Sequence, residues 1–148
     1  MGKLISFFLL TLLFSAPALS VQRVIDCQIV HKLHHDGDVI SATYKLHMAD
    51  NTGTMIIYGI FDEAGKKSII SRQVIFNYKS VDDTGYQLIS TKIISLSGET
   101  VKPESMSKHY PLFFSQGNMQ LFLTVREFSK YSLAMTFASD ILFVCSKP

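Results

Sequence analysis

The 148-residue chain has no tryptophan and only two cysteines, Cys27 and Cys145. Cysteines this far apart make no Cys-x-x-Cys redox motif and no local zinc knuckle. No sign of charge dominates: 14 Lys and Arg stand against 12 Asp and Glu, a formal net charge of +2. No basic cluster is present, so nucleic acid is not expected as a partner. There is no low-complexity tract, no nucleophile elbow, no phosphate-binding glycine loop and no paired-carboxylate pattern. Ser, His and Asp occur, but not at spacings that carry chemistry, so neither an enzyme nor a cofactor is expected. The single long hydrophobic run is at the N-terminus.

That run is Leu4 to Leu19, preceded by Lys3. Ala18 and Ser20 stand three and one residues before Val21, the small-x-small pattern of signal peptidase. A cut there removes residues 1–20 as a signal peptide and leaves 21–148 as one exported β domain. The run is also just long enough to cross a thin bilayer as an N-terminal anchor. Either way the rest of the chain is expected in an exported compartment. The bland alternative is a buried core helix. In an oxidising compartment Cys27 and Cys145 most simply pair with each other; two free buried thiols are the other reading.

After the leader, alternation with period two dominates. Ile25, Cys27, Ile29 and His31 share one face of a first strand. In "VISATYKLHM" Ile40, Ala42, Tyr44, Leu46 and Met48 face one way. "TMIIYGIF" is apolar on both faces, as a doubly covered strand would be. In "SIISRQVIFNY" the residues Ile70, Arg72, Val74, Phe76 and Tyr78 share a face. "YQLISTKIISL" is a fifth strand. "HHDGD", "ADNTG", "DEAGKK" and "SVDDTG" are turn signals. The rhythm breaks at "SGETVKPESMSKHYPLFFSQGN", where Pro103 sets up a short helix over Glu104 to His109. It resumes in "MQLFLTVREF", "YSLAMTF" and "ILFVC". The expectation is an all-β antiparallel meander of seven or eight strands, forming an open sheet or a closed barrel. The sheet's edges must be closed on each other, which a bridge from first strand to last suits, or be completed by a partner's strands; about 125 exported residues point to the second, a heteromeric complex.

Three groups of residues are candidates for a site. His31, His34 and His35, beside Asp36, suit a metal or an acid-pH sensor; a solvated hairpin tip is the alternative. Arg72 lies on an inward face, where a guanidinium needs an acceptor. It reads either an anion in a cavity or an internal carboxylate or carbonyl. The aromatics Tyr44, Tyr58, Phe61, Phe76, Tyr78, Phe122, Phe128 and Phe137 are either core or the lining of a cavity for one apolar ligand. Arg72, Tyr44, Tyr58 and Phe76 are the expected ligand-binding residues. No metal site is assigned.

Taken in order, the apolar leader, the early cysteine, "TGTMIIYGIF", "ISRQVIFNY", "YPLFF", "NMQLFLTV" and the terminal "LFVC" resemble the FidL-like family of small bacterial inner-membrane proteins. That resemblance implies an accessory protein that pairs with and tunes or stabilises a single-pass membrane transcription regulator. It also implies a lipocalin-like barrel and a small amphipathic ligand such as a bile salt. The rival readings are a free-standing periplasmic carrier and a fimbrial structural subunit. Pilin-type domains hold their cysteines close together, which the Cys27-to-Cys145 span does not.

Overall fold

The computed structural model describes residues 23–137 and 142–148; the leader and its cleavage or anchoring lie outside the described residues. Eight antiparallel strands follow one another: β1 (Ile25–His35), β2 (Asp38–Ala49), β3 (Thr52–Glu63), β4 (Lys66–Ser80), β5 (Gly85–Ser95), β6 (Gln120–Ser129), β7 (Ser132–Phe137) and β8 (Leu142–Ser146). Each pairs with its neighbours in sequence, and β8 returns to β1, so the sheet is a closed barrel. The chain therefore closes without a partner's strands, contrary to the expectation from its length. Strands of 10 to 15 residues from β1 to β6 make closure possible, because eight tilted strands suffice for a small barrel.

The hairpins explain the tight meander. The β1–β2 turn has Asp36 and Gly37 at φ 51° and 86°, and the β3–β4 turn has Ala64 and Gly65 at 50° and 90°. Two consecutive positive-φ residues match the twist of the flanking strands, which is why Asp-Gly and Ala-Gly stand there. Between the strands, the alternation read from the sequence is the alternation of burial. Ile40, Ala42, Tyr44, Leu46 and Met48 are all buried, as are Ile70, Arg72, Val74, Phe76 and Tyr78. "TMIIYGIF" departs from expectation: Met55, Ile57 and Phe61 are interior, while Tyr58 and Ile60 remain 45% and 51% exposed. A single-layer barrel has no second layer to cover its outer face. Across the ladder Thr43 pairs with both Val30 and Tyr58, and Ile60 pairs with Ile69. All four apolar residues are exposed, and they form one outer stripe over β1 to β4.

Among the described residues the seam between β1 and β8 is short, with Gln28 opposite Ser146 and Ile29 opposite Cys145. The Cys27–Cys145 disulfide crosses it, with Cα atoms 5.5 Å apart. The bridge therefore staples the place where the barrel closes.

Between β5 and β6 the connection carries α1 (Pro103–His109) and a 3₁₀ turn at Leu112–Phe114. Pro103 opens α1, where its missing N–H costs nothing. Two hairpins hold the helix at one end of the barrel. Glu63 accepts from Lys108 Nζ at 2.7 Å and from Ser105 Oγ at 3.1 Å. Asp38 Oδ2 meets His109 Nε2 at 3.0 Å, and its Oδ1 accepts from Ala64 N. Away from α1 the interior is packed with side chains such as Met55, Val74, Phe76, Leu88 and Val125, all fully buried.

Candidate functional site

Beneath α1 the interior is not filled. A cavity of about 450 Å³ lies between the ends of β1, β2, β7 and β8 and the β5–β6 connection. Its apolar wall includes Ile29, Leu33, Phe114, Phe137, Leu142 and Phe143. Its polar wall is made of His31, Tyr44, His109 and Tyr110, with the exposed Lys32 at the rim. The aromatic rings brace one another: Phe137 against Phe143 and against Phe114, and Phe114 against Tyr110, all at 5.5 to 6.3 Å between centroids. Edge and tilted packing of this kind stiffens a cavity wall as well as covering it. The volume falls in the roughly 300–1,000 Å³ range of small-molecule pockets.

The polar groups follow from burial. The Tyr44 and Tyr110 hydroxyls lie 2.6 Å apart. Burial pushes Tyr44 far above the ordinary phenol range, with Tyr110 adding to the effect. Burial likewise pushes Tyr110 up to about 12. Both are thus neutral phenols at neutral pH. His31 stacks on Tyr44 at 5.1 Å and meets the edge of Phe143 at 5.3 Å. Burial holds its imidazole below the usual value. His109 sits between Phe61 and His35, with Nε2 on Asp38. Neither His31 Nδ1 nor His109 Nδ1 has a partner among the described residues.

The residues expected at a site are dispersed by the fold. Tyr44 lines the cavity. Tyr58 is on the outer face, and Phe76 is wholly buried in the packed end against Phe113. Arg72 is buried but does not line the cavity: its Nε is 2.7 Å from Glu99 Oε1, and its Nη1 donates to the Phe114 carbonyl at 3.1 Å. Its charge is met internally by Glu99. Among the other aromatics, Phe137 lines the cavity, Phe61 and Tyr78 are core, and Phe122 and Phe128 point outward. The histidine cluster is divided: His31 enters the cavity wall, while His34 and His35 stay exposed. Among the described residues no group of three or more His, Cys, Asp or Glu is arranged to hold a metal. The residues that sequence reasoning missed are His109, Tyr110, Pro111 and Phe114. Their signal was the aromatic density of "HYPLFF" within an otherwise polar connection.

The YqeJ C-terminal domain family matches residues 25–145, from the first residue of β1 to the second cysteine of the bridge. The chain belongs to that family. The matched segment coincides with the barrel, so strands, disulfide and cavity are all inside the family's domain. No curated protein matches the chain significantly.

Proposed function

We propose that this YqeJ C-terminal domain is an exported binding module. In this reading it is an accessory subunit that pairs with the periplasmic part of a single-pass membrane transcription regulator and tunes or stabilises it. Its cavity takes a small amphipathic ligand. The observation that carries the reading is the 450 Å³ aromatic cavity at one end of an otherwise packed barrel. The disulfide supports an oxidising compartment, and the resemblance to FidL-like proteins supports the regulator as partner. Because the barrel closes on itself, the partner is not needed to supply strands. The outer stripe of Val30, Tyr58, Ile60 and Ile69 is the surface that a partner would cover.

Co-expression with the periplasmic segment of a neighbouring regulator, followed by size-exclusion chromatography and melting curves, tests the pairing. Co-elution at tens of micromolar and a raised melting temperature are expected, since binding to the native state stabilises it. Separate elution with unmoved melting temperatures would sink the accessory role. A free-standing carrier is the second reading, and closure without a partner specifically favours it. A domain that binds ligand but no regulator would be that carrier.

A further inference from the structure

Besides His31 Nδ1 and His109 Nδ1, which have no partner among the described residues, the tyrosine pair in the cavity wall is left incomplete by its own residues. Two neutral phenols carry two O–H hydrogens. The Tyr44–Tyr110 contact at 2.6 Å uses one of them. The other has no acceptor among the described residues, although both rings form the cavity wall. A buried donor without an acceptor is costly, so a ligand or water oxygen is needed there.

The charges around the cavity say what kind of oxygen it is. Arg72, a buried cation whose charge reaches Tyr110, is already paired with Glu99 and with the Phe114 carbonyl. His109 is engaged by the Asp38 carboxylate, which itself adds negative charge to this end of the barrel. Lys32 is at the solvent-exposed rim. A carboxylate or phosphate buried beside Tyr44 would therefore find only an arginine already matched by Glu99 and a lysine out at the rim, too little to offset its desolvation. A neutral oxygen meets no such penalty.

Resting on the reading of the cavity as a ligand site, we propose that it selects an apolar molecule bearing a neutral carbonyl or hydroxyl oxygen. The Tyr44–Tyr110 hydroxyl pair donates to that oxygen, and Phe114, Phe137 and Phe143 hold the apolar body. Anionic heads are excluded from the Tyr44–Tyr110 position.

Three probes with one apolar body test this on the oxidised protein by titration calorimetry at pH 7.5: biphenyl, 4-acetylbiphenyl and biphenyl-4-carboxylate. The variant is Tyr44→Phe combined with Tyr110→Phe. Removing both partners of one hydrogen bond at constant shape is close to neutral for folding. Unchanged biphenyl binding by the variant shows that the cavity has kept its form.

The expected result is that the variant binds 4-acetylbiphenyl at least about fivefold more weakly, as an unpaired buried carbonyl requires, while biphenyl changes by less than about twofold. The carboxylate should be the weakest ligand of the wild-type protein. Equal 4-acetylbiphenyl affinity in wild type and variant would overturn the assignment of the tyrosine pair. Tightest binding of the carboxylate would overturn the preference for a neutral head. In both cases the cavity would stand as a binding site. If none of the three probes binds up to its solubility limit, the cavity reading itself falls.

Discussion

Arg72 and Glu99 give the sharpest test of whether the inward arginine is structural. Their side chains are only 4% and 6% exposed, and the Nε–Oε1 distance is 2.7 Å. Glu99 Oε1 also accepts from Ser71 N at 3.3 Å, and Arg72 ties the barrel to the connection through the Phe114 carbonyl. Glu99→Gln removes the counter-charge and leaves the guanidinium nearly dry. Stranding one member of a buried pair costs about 3–5 kcal/mol, a large share of the roughly 5–15 kcal/mol that holds a domain together. Arg72→Met should cost a similar amount by stranding the carboxylate and releasing Phe114. Combining Arg72→Met with Glu99→Met should cost less than the sum of the singles, because no charge is then left unpaired. Urea unfolding of the four proteins measures this cycle, with the slope against denaturant checking that the same surface is exposed. Single-variant losses below about 1 kcal/mol, the size of an exposed pair, would show that water reaches Arg72. The assignment of its charge to Glu99 would then be wrong.

Further outcomes follow from other contacts. Reducing the Cys27–Cys145 bridge, which spans 118 residues, should cost up to about 4–5 kcal/mol. Amide exchange should rise first in β8 and the start of β1, and uniform exchange along the barrel would contradict the stapled seam. Gly59→Ala should destabilise by about 1–3 kcal/mol or more. The added methyl would lie 2.8 Å from the Ala42 Cα and collide with the Ser41 carbonyl, backbone that cannot yield; an unchanged melting temperature would refute the tight β2–β3 approach. Acidification from pH 7 to 5 should lower stability through His31. Its folded value is depressed by burial, so the unfolded chain takes up the proton first, near pH 6.5, and stability is lost as the pH falls through the folded value. His31→Phe should flatten part of that slope in melting curves, and an identical slope would remove His31 as the cause. The depressed carboxyls Glu63, Asp82 and Glu127 act in the same direction only at lower pH.

Strand faces were legible because period-two alternation is a local property. In β2 and β4 every residue placed inward by the pattern is buried. The bridge was legible because the chain offers only one pair of cysteines. What failed was anything requiring knowledge of a strand's two environments. Tyr58 and Ile60 are as apolar as Ile57, and only the absence of an outer layer separates them. Arg72 was correctly placed inward, but its partner Glu99 lies 27 positions away in a connection without periodicity. The roof of the cavity was illegible for the same reason. Residues 103–114 are fixed by contacts to Glu63 and Asp38 on two different hairpins, and no local pattern says which end of a barrel a connection will cover.

The two ends of the barrel must differ in energy as well as shape. One end is packed with side chains, while at the other the aromatic wall of the 450 Å³ cavity is left facing a solvent-open mouth, where each Å² of apolar surface kept from burial forgoes about 25 cal/mol. Collapse would remove this cost, yet three sets of contacts resist it. The disulfide fixes β1 to β8 beside the cavity. Glu63 and Asp38 hold α1 across two hairpins. The Phe114, Phe137 and Phe143 rings brace one another. Filling by water would offset the cost at Tyr44 and Tyr110, where oxygen acceptors are wanted, but not along the aromatic wall, where water finds few partners. An amphipathic occupant satisfies both surfaces at once. The same contacts that prevent collapse therefore hold the cavity's form, and on the proposed reading as a ligand site its occupation would stabilise the barrel by mass action.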